Sequence, residues 1–223
     1  MKQMFNALMQ NINKMMGKGA NIHPEQFNDA LALSTGWTPA KPGGASFCTR
    51  KLQQNGAHCV EFVASYSAKI FYFIFLSMGI ITGAVVAYRV IIEGIIPAGN
   101  NFFGPLLIAI IFTIAGALMF YFGAKPIVFD KGRGLFCKGR VTIETTLSQS
   151  TGKNWARLDQ IHALQLISEY CSGNKNSYYS YEINLVLKDA QRINVVDHGN
   201  LNIIRSDAQQ LAQFLNVPVW DAI

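Results

Sequence analysis

Charge is what this chain has least of. Asp, Glu, Lys and Arg make up 14% of its 223 residues, against roughly 25% in soluble globular chains. The shortage is not spread evenly. Between Ile70 and Ala124 the only charges are Arg89 and Glu93, which argues against a single soluble core. Cysteine is also sparse. Cys48, Cys59, Cys137 and Cys171 form no C-x-x-C pair, so zinc-ligand spacing is absent and reduced, partly buried thiols are expected. Cys48 and Cys59 are expected to face each other across a hairpin, as packing. No acid precedes Glu25, and the opening residues lack the continuous apolar core and cleavage site of a secretory leader. No catalytic signature appears, no metal or cofactor is expected, and the chain reads as a non-enzyme. The net charge of +6 does not mark a nucleic-acid binder, because residues 125–223 are nearly balanced, with eleven basic and nine acidic groups.

What fills the uncharged stretch is two long apolar runs. Ile70–Ala87, "IFYFIFLSMGIITGAVVA", holds 18 residues without a charge, and Phe102–Ala124 is the strongly apolar part of the second run. Crossing a bilayer takes about 20 apolar residues at about 1.5 Å each. The expected spans are about 69–90 and 102–124, a transmembrane hairpin over 69–124. The connection "IIPAGNNFFGP" (95–105) has the Pro, Gly and Asn of a turn, and turn backbone cannot lie in hydrocarbon. Arg50, Lys51 and Lys69 precede the first run; Lys125, Lys131, Arg133, Lys138 and Arg140 follow the second. The connecting side offers only Arg89, so both termini are expected in the cytoplasm. Arg89 is expected to snorkel and pair with Glu93 at i,i+4. Gly79-x-x-x-Gly83 fits close helix packing, within the hairpin or against a second copy.

Residues 1–20 place apolar side chains at 4, 5, 8, 9, 12, 15 and 16, with Lys2, Lys14 and Lys18 as their only charges. This is the stripe of a basic amphipathic helix. It suits an anionic leaflet or, equally, the protein's own domain. Residues 21–44 read as a short helix, "QFNDALAL", and a linker, "GWTPAKPGG" (36–44). Over 45–68, Ser46–Leu52 and Cys59–Ser65 read as strands around an Asn55-Gly56 turn. A hairpin this small needs a sheet to join.

Residues 125–223 supply one. Pro126–Asp130 and Leu135–Arg140 flank the turn "KGRG", and a polar stretch runs from Glu144 to Asn154. His162–Tyr170 reads as a strand, Tyr181, Ile183, Leu185 and Leu187 alternate with polar residues, and "RINVVD" (192–197) returns the chain. A C-terminal helix follows, with Ser206-x-x-Gln209 read as its capping box and Ala208, Leu211, Ala212 and Leu215 as its apolar stripe. Asn216 and Pro218 end it. The pattern "LDQIHALQLIS…YSYEINLVLKD…RINVVDHG…DAQQLAQFLNVPVW" resembles the PH-like domains attached to membrane spans in uncharacterised bacterial proteins. "GWTPAKPGGASFCTRKL" resembles the amino-terminal part of such two-span proteins. The resemblance covers most of the chain and its motifs are structural. It implies an α+β membrane protein of a bacterial inner membrane: a two-helix transmembrane hairpin plus a PH-like antiparallel β-domain closed by a C-terminal helix. It carries over no catalytic residue.

Two groups of residues are candidates for contact. Lys131, Arg133, Lys138 and Arg140 lie just past the second run, where they either hold a phospholipid head group or serve only to fix topology. Tyr178 and Tyr179, in the polar stretch "SGNKNSYYS" (172–180) read as a loop, suit a protein partner. Asp159 near His162, and Asp197 beside His198, matter only if they converge in a cleft, as in a lipid-acting enzyme. The expected work is binding: a membrane-tethered module engaging a membrane or cytoplasmic protein, or a lipid head group. The bilayer and a second copy of the chain are further partners, and nucleic acid is not one. The alternative is an immunity or accessory subunit whose transmembrane helices bind a toxin or a transporter.

Overall fold

The computed structural model describes residues 22–94, 100–139, 152–172 and 176–223. The expected amphipathic helix over 1–20, most of the polar stretch 144–154, and Arg140 lie outside them. In chain order the helices are α1 (Ala30–Ser34), α2 (Tyr66–Ile91), α3 (Asn100–Gly123) and α4 (Leu201–Leu215). The strands are β1 (Arg50–Gln54), β2 (Cys59–Ala64), β3 (Ile127–Asp130), β4 (Leu135–Lys138), β5 (Trp155–Arg157), β6 (Ile161–Ser172), β7 (Ser177–Leu187), β8 (Arg192–His198) and β9 (Val219–Ala222). The chain divides into two compact units: residues 63–125, and residues 1–62 with 126–223.

The smaller unit is α2 and α3. Ser65 starts α2 by accepting the Ala68 N–H at 3.0 Å, so Tyr66 and Lys69 occupy its first turn. Mean hydropathy reaches 2.2 in α2 and 2.3 in α3, and only 6% and 11% of those apolar stretches are buried. A core helix of a soluble domain is mostly buried; these two are long and apolar enough to cross a membrane. They run side by side in opposite directions, with Tyr72 beside Phe120, Phe75 stacked on Phe112 and Gly79 against Thr113. The Gly79-x-x-x-Gly83 pair faces the partner helix of the hairpin, tightly at Gly79 and loosely at Gly83. Helix α2 ends at Ile91, short of Glu93, so the helical i,i+4 geometry for an Arg89–Glu93 pair is missing.

Gly116 makes the closest approach testable. A Cβ there would lie 2.6 Å from the Leu76 nitrogen and 2.7 Å from its Cα, both backbone atoms. Gly116→Leu is expected to destabilise the helix pair by about 1–3 kcal/mol through overpacking, read as a lower thermal midpoint of the full chain. Gly104→Leu should leave it unchanged, since nothing lies within 4 Å of a Cβ at that position.

The larger unit is built from two sheets. One is five-stranded in the order β1-β2-β3-β4-β5; the other is four-stranded in the order β8-β7-β6-β9, with β9 parallel to β6 and the rest antiparallel. Phe62, Phe129 and Phe136 from the first sheet meet Leu164, Leu166, Ile183 and Leu185 from the second in one core, which Ile204, Ala208 and Leu211 of α4 complete. One extended run joins the sheets. Residues 46–49 lie along β8, where Cys48 bridges His198 and Phe47 accepts the Gly199 N–H at 3.2 Å; the chain then continues as β1 in the other sheet. Cys48 is therefore beside His198, while Cys59 lies opposite Asp130 on β3. The expected facing of Cys48 and Cys59 is not made, because residues 48 and 59 follow different neighbours.

Three other expectations are corrected. Helix α4 starts at Leu201, because Asn200 Oδ1 accepts the N–H groups of Asn202 and Ile203 at 3.1 and 3.2 Å; Ser206 sits inside the helix and caps nothing. The chain does not close on that helix, since β9 returns it to the sheet. The stretch 172–180 is not one long loop: β6 runs to Ser172 and β7 resumes at Ser177. Beyond Ser168 and Tyr181 these two strands pair, among the described residues, only with each other. They form a ribbon that projects past the sheet.

Candidate functional site

The segment read as a linker is a strap anchored along the mixed sheet. Leu164, Leu166, Ile183 and Leu185 face the main core, so Gln165, Glu182 and Asn184 point to the opposite face by the alternation of a strand. All three are fully buried there, with Ser180. Residues 22–44 bury them. Trp37 stacks on Phe27 at 5.1 Å and lies 5.9 Å from Trp220, and these rings join Ala32, Ala163 and Val186 in a second small core. Asp29 caps α1 by accepting the Leu31 N–H at 2.9 Å, and its other oxygen lies 2.6 Å from His162 Nε2. Burial pushes the Asp29 carboxyl up, but the His162 and Leu31 hydrogen bonds outweigh it and hold the group below its ordinary range.

Two carboxylates hold the strap. Glu182 accepts the N–H groups of Ala40 and Lys41 at 2.9 and 3.0 Å and the Asn184 amide at 2.9 Å. Glu169 accepts the N–H groups of Gly43 at 3.1 Å and Gly44 at 3.3 Å. Tyr178 donates its hydroxyl to the Gly44 carbonyl at 3.0 Å, and Arg192 donates to the Thr38 carbonyl at 2.7 Å. Gly44 has no room for a side chain, since a Cβ would lie 2.1 Å from Ser180 Oγ. Desolvation raises the Glu182 carboxyl above its usual range, and the three donors offset part of that rise.

The basic candidates do not gather into one cluster. Lys131 and Arg133 share the β3–β4 turn, where Lys131 Nζ lies 4.7 Å from the Phe214 ring and Arg133 Nε 3.6 Å from Asp130. Lys138 is at the opposite end of the same hairpin, because Asp130 pairs with Leu135 while Ile127 pairs with Lys138. Its amine reaches Asn194 Oδ1 at 3.4 Å, and burial, with the neighbouring charge of Lys41 next in size, pushes it down to about 8. Tyr178 and Tyr179 stand on β7, half-exposed and exposed, with the Tyr179 ring 5.2 Å from Tyr170.

The candidate acid–base groups are kept apart. Asp159 pairs with Arg157 at 3.0 Å on the surface. His162 pairs with Asp29. His198 is buried, accepts the Asn200 N–H on Nδ1 at 3.0 Å, and is pushed down by that burial. Asp197 takes Asn194 at 2.7 Å and Lys41 at 3.6 Å. Among the described residues no three His, Cys, Asp or Glu side chains gather as a metal site.

Asp207 is a titratable group that the sequence reading passed over. It lies on the buried face of α4 and accepts the Leu52 N–H of β1; burial pushes its carboxyl up from 3.8 to about 6. The folded state therefore takes the proton before the unfolded chain does. This group's contribution to stability rises as pH falls from about 6 towards 3.8, and is flat outside that window. Asp207→Asn is expected to raise the unfolding midpoint at pH 7.5 and to flatten that rise in a pH series of thermal melts.

The described residues thus define an α+β chain in which an apolar helix pair interrupts a two-sheet domain. Comparisons with protein-family models, with curated proteins and with solved structures each find no match.

Proposed function

We propose that this chain is a membrane-tethered binding module. Helices α2 and α3 cross a bacterial inner membrane as a hairpin, both termini lie in the cytoplasm, and a PH-like domain engages a protein partner or a lipid head group at the inner leaflet. The observation that carries this reading is the apolar surface that α2 and α3 leave uncovered, including Phe73, Ile81, Ile91, Phe103, Leu107 and Phe122. Apolar surface on that scale needs a cover, and lipid supplies one. The helix ends support it. Tyr66 and Lys69 begin α2, and Lys125 Nζ lies 4.6 Å from the Tyr121 ring and 5.0 Å from that of Phe122 at the end of α3. Tyr and Lys anchor spans in this way at the interface.

The PH-like reading is supported by two packed sheets with α4 against their shared core. Binding rather than catalysis is supported by the separate engagements of Asp159, His162 and His198. A membrane-held domain meets its partner at high effective concentration, so modest affinity suffices. Cross-linking of the full chain in intact cells, with mapping of the adducts, tests this. Adducts of one protein or of phospholipid on the domain's strands are expected. Adducts confined to the exposed faces of α2 and α3 would favour the accessory-subunit alternative, and a chain recovered without detergent would contradict both.

A further inference from the structure

We infer that strap residues 38–44 are a displaceable internal ligand, and that the sheet face beneath them binds an extended, glycine-bearing peptide of a protein partner in their place; this gives the protein partner of the reading above its chemistry and rests on that reading. The sheet holds the strap by its backbone. In order along the strap, Arg192 donates to the Thr38 carbonyl, Glu182 accepts from the Ala40 and Lys41 N–H groups, Glu169 accepts from those of Gly43 and Gly44, and Tyr178 donates to the Gly44 carbonyl. Thr38, Ala40, Lys41 and Pro42 are exposed, and of their side chains Lys41 adds one ion pair, with Asp197 at 3.6 Å. Any extended chain offers the same N–H and C=O groups. The tightest steric demand is at Gly44, where Ser180 Oγ leaves no space for a Cβ.

The face beneath has the composition of one that meets water. Gln165, Ser180, Glu182 and Asn184 are fully buried there. A strand face that is always interior is more stable with apolar residues, because a buried carboxylate and buried amides carry a desolvation cost that their hydrogen bonds only offset. A face that alternates between covered and open must be soluble when open, and these residues meet that condition. Ser180 Oγ and Asn184 Oδ1 are buried and have no hydrogen-bond partner among the described residues, so the strap does not use all that the face offers. The hold is also replaceable. Hydrogen bonds that water can substitute give a small net gain, and past Trp37 no apolar side chain of the strap is fully buried. Its two ends are fixed independently, by Trp37 in the second small core and by Cys48 on β8. Residues 38–44 can therefore lift while the arm and β1 stay in place.

The test uses the full chain and a fluorescein-labelled peptide with the sequence of residues 38–45, TPAKPGGA, with binding read by fluorescence anisotropy. Two variants unseat the strap and leave every side chain of the face intact: Gly44→Leu, by collision with Ser180, and Ala40→Pro, by removing an N–H that Glu182 accepts. Each is expected to bind the peptide roughly ten times more tightly than the unaltered chain, since apparent affinity scales with the open fraction. A peptide with Leu in place of its second Gly should not bind, and Glu169→Ala added to Gly44→Leu should weaken binding again. No gain in a variant whose circular dichroism matches the unaltered chain would overturn the inference, as would a gain kept by the Leu-bearing peptide. Loss of fold in both variants would make the strap a fixed part of the interior and overturn it too. A concentration-dependent dimer of the unaltered chain that the peptide dissolves would assign the face to a second copy instead. Chain found in the soluble fraction would fail the membrane reading; chain in the membrane fraction without selective binding fails the peptide site alone.

Discussion

Replacing Glu182 by alanine is expected to destabilise the domain by on the order of 3 kcal/mol and to free the strap over residues 36–44. The carboxylate is fully buried and accepts from Ala40, Lys41 and Asn184. Truncation leaves those three donors without an acceptor, at about 1–3 kcal/mol for each group that water does not reach. Relief of the buried charge offsets part of the loss. Glu182→Gln keeps one oxygen but turns an amide N–H₂ towards a backbone N–H, so an intermediate cost is expected. Denaturant unfolding of the full chain measures the energy, and hydrogen exchange of the Ala40, Lys41, Gly43 and Gly44 amides measures the strap. An alanine variant with unchanged midpoint and unchanged exchange would show that the strap is held by something else.

Trp220→Ala is expected to cost about 3–5 kcal/mol, the usual range for deleting a buried aromatic side chain. Trp220 is 2% exposed and lies 5.8–6.0 Å, centroid to centroid, from His162, Trp37 and Phe27. It sits on β9 beneath the N-terminal arm, so its loss removes the floor of the second small core. The loss should also reach the His162–Asp29 contact. Because Trp37 belongs to the same cluster, Trp37→Ala and Trp220→Ala together should cost less than their sum. Full additivity in the double variant would mean that the two indoles stabilise the fold independently.

What was legible in the sequence was local. The apolar runs announce α2 and α3 by length, Asn55-Gly56 announces the first hairpin, and period-two alternation announces β7. What was not legible depends on residues far apart. The strap's anchors, Glu182 and Glu169, follow it by more than 120 residues, and Pro and Gly in "TPAKPGG" signal a linker when read alone. Glu182 and Asn184 alternate with apolar residues, which is also the pattern of a strand face open to water; only the covering arm makes that face an interior.

The misplaced start of α4 has a different cause. Ser206-x-x-Gln209 satisfies the capping pattern, but the buried stripe of Ile204, Ala208 and Leu211 extends one turn earlier. Counting Ile204 into the stripe would have pointed to Asn200. The pairing of residues 168–172 with 177–181 was missed because Gly, Asn, Ser and Lys dominate the sequence between them. Strands β5 and β9 are only three and four residues long, too short for periodicity to show. The basic residues after the second apolar run looked like one group in sequence, and the β3–β4 register sends Lys138 to the opposite end from Lys131 and Arg133.

Everything proposed about function depends on α2 and α3 crossing the membrane with both ends of the chain on one side. A paired reporter measurement tests this most directly, with alkaline phosphatase inserted between Gly94 and Asn100, or fused after Ile223, in the full chain. Phosphatase activity at the insertion and none at the fusion is the expected result. Activity at the fusion, or at neither position with the chain found in the soluble fraction, would contradict it.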